Sequence, residues 1–359
     1  MNILITAPSL NESENVSGIS TIVRTIINSN RSSVKFLHFR IGNKDGEPKG
    51  FKWAVSQVAL LPRMARFIRR QRINAVHLNT DFTKTSLLRD FVIFSFLKNV
   101  MHKPVLLHIH GGHMLMKPPA KGSLFKWVID RMLKHSDKNV VLSAVEQEQL
   151  RKAYGAESEA LPNAVETKEL KPLSKNFTAG IKFIFLGRIV RSKGVYQIAE
   201  AFKQLNAYHD RCSFTVYGSG PELAPLLQEL EAIPTLRFEY KGIARGEEKW
   251  KALEQANVFL LPSLYGEGLP IAMLEAMQAG CVPVVSDDAS ITTVVNNGVN
   301  GFVIKKGDQG ALVETMKNIL TQRSGLEQLS QAAKSTIIEH YGISQYMRNL
   351  ASYYSTFVN

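Results

Sequence analysis

In the first half of the chain, short apolar runs alternate with longer segments of helical period. Residues 3–7, 34–39, 75–78, 105–109 and 139–142 predict strands, and segments such as 18–28 and 123–133 predict helices with one buried face. Alternation of this kind implies a parallel sheet covered by helices on both sides. A stretch of turn formers follows, with Gly155, Pro162, Pro172 and Gly180 among polar residues, so residues 155–180 are expected to be an inter-domain linker. The alternation then resumes. Strands are expected at 181–186, 213–217, 237–240, 258–261, 282–285 and 301–304, with helices between them at 195–206, 247–256 and 270–279.

The pattern therefore predicts an α/β chain of two doubly wound parallel-sheet domains facing a central cleft. A length of 359 residues suits two cores of about 150–200 residues each. Ligands of open α/β sheets bind outside the carboxyl ends of the strands, which makes the cleft the expected site. With 45% hydrophobic and 21% charged residues, the chain has enough apolar surface to fold. Its two cysteines, Cys212 and Cys281, sit in apolar surroundings and read as reduced, buried thiols. The opening MNILITAPSL has no Lys or Arg ahead of its apolar run and reads as a first strand, not a signal peptide. The most apolar run, residues 91–97, is far shorter than the ~20 residues needed to span a bilayer.

Candidate chemistry gathers at predicted strand ends. After the strand at 258–261, the segment Glu267, Gly268, Leu269, Pro270 leads into a helix. Proline suits a first helical position, because its missing N–H would be unpaired there anyway. The amides of Gly268 and Leu269 would then lie at a helix amino end, where unpaired donors and the dipole attract an anion. Glu275, eight residues beyond Glu267, sits amid Ile271, Met273, Leu274 and Ala276, and a buried carboxylate requires a partner. After the strand at 181–186, Arg188 and Lys193 share one strand-to-helix loop, and an arginine fork beside a lysine suits a diphosphate. Gly218 and Gly220 permit close backbone approach to a ligand, but a plain turn needs the same residues. Gly18 precedes a helix but belongs to no full G-x-G-x-x-G fingerprint, which argues against an ordinary NAD site. His108, His110 and His113 end the strand at 105–109, with His108 and His110 on one face. No carboxylate lies nearby in sequence, so His110 is read as facing the cleft and not as a metal ligand. Asp287 and Asp288 read as a loop, not a metal clamp.

Charge is unevenly spread. The net formal charge is +13, and residues 1–165 hold 24 Lys+Arg against 12 Asp+Glu, while residues 166–359 hold 20 against 19. A basic first half attracts an anionic surface or partner. Two stretches could meet a membrane interface. Residues 51–72 interleave Trp53, Val55, Val58, Leu60, Leu61, Met64, Phe67 and Ile68 with Lys52, Arg63, Arg66, Arg69, Arg70 and Arg72, and Pro62 should kink or divide them. Residues 86–103 carry Leu87, Leu88, Phe91, Phe94 and Leu97. The alternative for both is a core-facing helix with a charged back.

Taken together, these residues resemble glycosyltransferase family 4, the group 1 glycosyltransferases, over nearly the whole length and most strongly across 181–303. The landmarks are Leu186, Gly187, Arg188, Lys193 and Gly194; Tyr217 to Pro221; Pro262 to Pro270; Glu275 to Gly280; and Asn297 to Phe302. The stretch Leu161 to Glu166 is similar to the family's P-N-G-V-D entry, with Ala164 in place of glycine. The resemblance implies the GT-B fold of two Rossmann-like domains. Residues 1–165 would bind the acceptor, 175–340 the donor, and 341–359 would cross back to the first domain. It implies that Arg188 and Lys193 hold the donor diphosphate, that Glu275 bonds the ribose hydroxyls, and that Glu267 with Gly268 and Leu269 holds sugar and phosphate. His110 would face the donor sugar, and Gly18 the acceptor and phosphates. Gly218, Gly242, Ile243 and Pro270 complete the donor-binding set. The implied activity is a retaining transfer from a nucleotide sugar, UDP on family frequency, to a glycan, with no metal and no other cofactor.

The basic first half adds a lipid-linked acceptor and peripheral association with an anionic membrane in the cytoplasm. A sugar-nucleotide enzyme without transfer, such as a hydrolysing epimerase, is the competing enzyme. Nucleic-acid binding has no zinc motif, RNP signature or basic-aromatic strand pattern behind it. A membrane scaffold that has lost catalysis is disfavoured by the joint presence of Arg188, Lys193, Glu267 and Glu275.

Overall fold

The computed structural model describes residues 1–42, 59–167 and 175–357. The chain divides into two compact units, Met1–Ala164 with Ile343–Asn359, and Val165–Gly342. The first begins with β1 (Asn2–Ala7), α1 (Gly18–Ser29), β2 (Lys35–Arg40), α2 (Leu60–Arg70), β3 (Ala75–Thr80) and α3 (Lys84–Asn99). It continues with β4 (Val105–Ile109), α4 (His113–Met116), α5 (Leu124–His135), β5 (Lys138–Val141), α6 (Ala144–Tyr154) and β6 (Glu159–Ala160). These strands form one sheet in the order β2-β1-β3-β4-β5-β6, parallel throughout. Every residue of β3 and β4 is buried, as expected of central strands with helices on both faces. Ser17 caps α1 by accepting the Ser20 N–H, so that helix starts where the β1 loop ends.

The second unit holds β7 (Ile181–Leu186), α7 (Val195–Gln204), β8 (Cys212–Tyr217), α8 (Leu223–Glu231), β9 (Phe238–Tyr240) and α9 (Gly246–Gln255). It goes on with β10 (Val258–Leu261), α10 (Ile271–Gln278), β11 (Val282–Ser286), β12 (Phe302–Ile304), α11 (Gln309–Thr321) and α12 (Leu326–His340). Its sheet order is β12-β11-β10-β7-β8-β9, again parallel. Counted from β7, that is the doubly wound order 3-2-1-4-5-6, with the reversal of winding between β7 and β10. The last helix, α13 (Ile343–Ser355), joins the first unit: it packs on α1 and buries Tyr346, Leu350 and Tyr354. Both cysteines are free and buried.

Two expectations change, and a third is tested only in part. The stretch read as linker begins with β6, which pairs with β5, and Val165 bridges to Gly342, so the segment before residue 168 belongs to the folded units. Pro62 does not interrupt the described helix, and residues 51–58 ahead of it lie outside the described residues. The proline sits in the first turn of α2, where no intrahelical partner for its N–H is needed. The apolar residues of α2 and α3 largely face the core: Leu60, Met64 and Ile68 on α2, and Leu87, Phe94 and Leu97 on α3, are buried. Trp53, Val55, Val58 and Lys52 lie outside the described residues.

Candidate functional site

In the second unit the loops after β7, β8 and β10 are bound together by backbone. The Ile189 N–H donates to Ser219 O at 2.8 Å, and the Leu264 N–H donates to Ser192 O at 2.8 Å. Glycine is required where they cross. At Gly218 (φ +140°) an added Cβ would lie 1.8 Å from Gly187 O, and at Gly194 (φ +72°) it would lie 2.0 Å from Pro262 O. Gly218 is thus explained by packing of one loop on another, and its N–H donates to Gly242 O at 2.7 Å. Ile243 follows, half-buried.

Closure of the β7 loop on the β10 loop brings Lys193 to Glu267. The Lys193 ammonium donates to both carboxylate oxygens, at 2.6 and 2.7 Å, and the Ser263 hydroxyl donates to Oε1 at 2.6 Å. The Glu267 side chain is only 5% exposed, against 25% for Lys193. Behind it, the Glu267 N–H donates to Asp288 Oδ2 at 3.1 Å, and Lys306 pairs with Asp288 Oδ1 at 3.0 Å. Asp288, read from sequence as an ordinary loop residue, therefore anchors the backbone of Glu267. Arg188 differs from Lys193. Its guanidinium is exposed and makes no hydrogen bond or ion pair among the described residues.

The helix start is one residue later than the sequence suggested. Pro270 has ψ 117°, an extended value, so it is the N-cap and Ile271 is the first helical residue of α10. No side chain caps this end. The Met273 N–H returns to Pro270 O, and the N–H groups of Ile271 and Ala272 make no hydrogen bond among the described residues. Gly268 and Leu269 form the turn that leads in. Glu275, 7% exposed, has the partner its burial demands: Lys249 of α9 donates to Oε1 at 2.6 Å. Lys249 was missed from sequence, where nothing distinguishes it from the other charges on its helix. Among the described residues no hydrogen bond or ion pair links the Glu275–Lys249 pair to the Lys193–Glu267 pair.

In the first unit, winding reverses between β1 and β3. Gly18 opens α1 beside this point, exposed, and a Cβ there would meet nothing within 4 Å. His110 follows β4, half-buried, with its ring 4.1 Å from that of His108, which stacks in turn on His77 at 5.2 Å. Tyr354 of α13 lies 2.5 Å from His77 Nδ1. Asn79 settles which nitrogen of His110 carries hydrogen. Its Nδ2 donates to Thr6 O at 2.7 Å, so its Oδ1 must be the atom 2.7 Å from His110 Nε2 and must accept from it. The lone pair of the neutral ring is then on Nδ1. Burial lowers His110 to about 3, and burial, with His110 nearby, lowers His77 to about 3, so both rings are neutral at physiological pH. His108 is buried, its Nε2 without a hydrogen-bond partner among the described residues, and His113 is exposed. Among the described residues no group of three His, Cys, Asp or Glu is arranged to hold a metal ion.

Two parallel sheets, the second in doubly wound order with cations and free helix amides at its switch point, define a protein of the GT-B class. The model of "Glycosyl transferases group 1" matches residues 167–336, and that of "Glycosyltransferase Family 4" matches residues 40–169. Side by side these matches span most of the chain, which belongs to the group 1, family 4 glycosyltransferases. It is 27% identical over 198 residues to the capsular polysaccharide biosynthesis glycosyltransferase CapM of Staphylococcus aureus, covering 55% of this chain and 50% of that one. The chain spans about half the length of the curated relatives it matches. Among solved structures it resembles sucrose-phosphate synthase from Thermosynechococcus elongatus, with a TM-score of 0.81 at 15% identity over 99% of this chain and 98% of that one. It also resembles Anabaena HepE in complex with UDP-glucose, with a TM-score of 0.76 at 15% identity over 99% and 100%. Likeness at that identity establishes the fold.

Proposed function

We propose that the chain is a retaining glycosyltransferase that moves a hexosyl or N-acetylhexosaminyl group from a nucleotide sugar to a glycan in surface polysaccharide assembly. The observation that carries the proposal is the β7–β10 switch point: an unpaired arginine, a lysine held by a buried glutamate, and an uncapped helix amino end occupy the carboxyl edge of one sheet. A diphosphate needs this combination of fork, point charge and amides. As the glycosidic bond breaks, negative charge grows on the leaving diphosphate. Arg188, Lys193 and the first amides of α10 would stabilise it, an effect of about 3–4 kcal/mol for one well-aimed donor. In a retaining transfer the acceptor attacks the face the diphosphate leaves, and the departing phosphate oxygen takes the acceptor's proton. Neither glutamate is then a nucleophile. Glu267 holds the sugar, and Glu275, with Oε1 on Lys249, offers Oε2 to the ribose hydroxyls. Gly18 and His110 keep the roles the resemblance gives them, toward acceptor and donor sugar.

UDP is favoured as the nucleotide because HepE was solved with UDP-glucose, and surface polysaccharide assembly because CapM is named for capsular polysaccharide. A lipid-linked acceptor and peripheral association with the inner face of an anionic membrane fit the basic first half. No helix among the described residues is long and apolar enough to cross a membrane. Neither metal nor other cofactor is required by this chemistry. The test is a thermal-shift screen of nucleotide sugars, followed by mass spectrometry of products formed with membrane extract. Sugar-nucleotide breakdown that proceeds equally without acceptor would replace transfer by the hydrolysing reading.

A further inference from the structure

Helix α3 is apolar on two sides. Leu87, Ile93, Phe94 and Leu97 enter the core, while Leu88 and Val92, one turn apart on the opposite side, are 40% and 54% exposed. Phe91 lies between these sides and meets Trp127 of the neighbouring α5 edge to face, with centroids 5.4 Å apart. Trp127 is itself 54% exposed, and Leu124, one turn before it, is 60% exposed. Leu88, Val92, Leu124 and Trp127 thus form one outward patch across two packed helices, more apolar than a solvated face requires.

The charge around this patch has one sign. Residues 84–138 contain ten Lys+Arg and three Asp+Glu. All three acids are neutralised at close range: Asp90 by Arg89 at 2.7 Å, Asp130 by Lys126 at 2.6 Å and Asp137 by Lys98 at 2.6 Å. The side chains of Lys84, Lys117, Lys121, Arg131 and Lys134 remain exposed, without an ion-pair or hydrogen-bond partner among the described residues. Lys84 lies one turn before Leu88, and Arg131 one turn after Trp127.

We propose that the outward face of α3 and α5 is the surface by which this protein docks on an anionic lipid bilayer, with Leu88, Val92, Leu124 and Trp127 entering the interface and the surrounding cations meeting lipid phosphates. An indole is suited to that depth, apolar in body with one polar N–H. Unpaired cations around it are attracted to an anionic surface. Of the residues that periodicity alone pointed to on this helix, the patch keeps Leu88, since Leu87, Phe94 and Leu97 are buried in the core. The proposal deepens the membrane-associated reading above, naming the face that would make the contact.

The test is flotation of the purified full chain with vesicles of phosphatidylcholine alone and of phosphatidylcholine mixed equally with phosphatidylglycerol, at low and high salt. Wild type should float with the anionic vesicles only, and less at high salt. Val92→Ser with Trp127→Ser should weaken partitioning by about tenfold or more, because two half-exposed apolar side chains lose their burial in the interface. Charge reversal at Lys121, Arg131 and Lys134 should abolish the difference between the two vesicle types. All these positions are exposed, so melting temperatures should hold near wild type. Nucleotide-sugar turnover with a water-soluble acceptor and no vesicles, measured in parallel, reports on the catalytic reading independently. Equal flotation of the Val92/Trp127 variant and wild type, equal flotation on neutral vesicles, or no flotation at all would each overturn the docking face, whatever the turnover shows.

Discussion

Lys193 does two things at once in this structure, and a double-mutant cycle separates them. Glu267 is buried to 5% side-chain exposure and accepts three hydrogen bonds, two of them from Lys193 and one from Ser263. Lys193→Met keeps the length of the side chain but leaves the carboxylate with Ser263 alone. Breaking a fully buried ion pair costs about 3–5 kcal/mol. Lys193 is a quarter exposed and Ser263 remains, so water and the hydroxyl recover part of that, leaving about 2 kcal/mol. For a unit of this size such a loss lowers the melting temperature by about 4–8 °C. Glu267→Gln should cost less, because the ammonium can turn to water.

In the double variant no buried charge is left unpaired. Its stability should recover to within about 1 kcal/mol of wild type, with a coupling energy of 1–2 kcal/mol by urea denaturation. Turnover should not recover: kcat should stay roughly a hundredfold or more below wild type, since the charge that opposes the leaving diphosphate and the carboxylate that holds the sugar are both gone. Two results would refute the reasoning. A double variant as unstable as Lys193→Met would mean that the pair does not carry the local stability. Turnover that returns with stability would mean that Lys193 serves the fold alone.

Other outcomes follow from the same geometry. Arg188→Ala should lower kcat by about 10²–10³ with stability within about 0.5 kcal/mol of wild type, because its exposed guanidinium makes no hydrogen bond or ion pair among the described residues; near-normal turnover would remove it from the site. Gly218→Ala forces a Cβ to within 1.8 Å of Gly187 O at φ +140°, so it should destabilise the second unit by about 2–4 kcal/mol and weaken nucleotide binding, and a neutral effect in both assays would discard the loop-crossing argument. His77 and His110 resist protonation down to about 3, and burial also holds His108 well below its ordinary value, whereas an unfolded histidine takes up its proton near 6.5. The unfolded chain therefore binds more protons between those limits. Stability is full above about pH 6.5 and falls with acid, by up to about 4 kcal/mol per pH unit for the three rings. His108→Leu should reduce that slope, read from urea midpoints at pH 5 and 6, by about a third; an unchanged slope would show that His108 titrates normally. Asn79→Leu removes the acceptor that fixes His110, so nitrogen NMR should show the Nε2–H form giving way to a tautomer mixture, and an undisturbed spectrum would reject the assignment.

What the sequence could reveal was decided by whether a feature is local. Both sheets were legible because strand, loop and helix each leave a periodic pattern within a dozen residues, and the loop after β7 was legible because Arg188 and Lys193 are close in sequence. β6 escaped because two residues at a sheet edge leave no period to read. The pairings of the site escaped for a different reason: Lys193 and Glu267 stand 74 positions apart, Lys249 and Glu275 stand 26 apart, and Asp288 meets the Glu267 amide from a neighbouring strand end. Burial of Glu275 announced that a partner must exist, but not which lysine it was. The same limit applies to α3. Its apolar residues fit a core-facing stripe and an outward stripe equally well, and only its packing against β3, β4 and α5 decides that Leu87 is covered while Leu88 is not. A helix apolar on two sides has one more apolar face than its core can use. That surplus is the physical reason to seek its contact outside the chain, and the neutralised acids beside it are the reason to seek an anionic one.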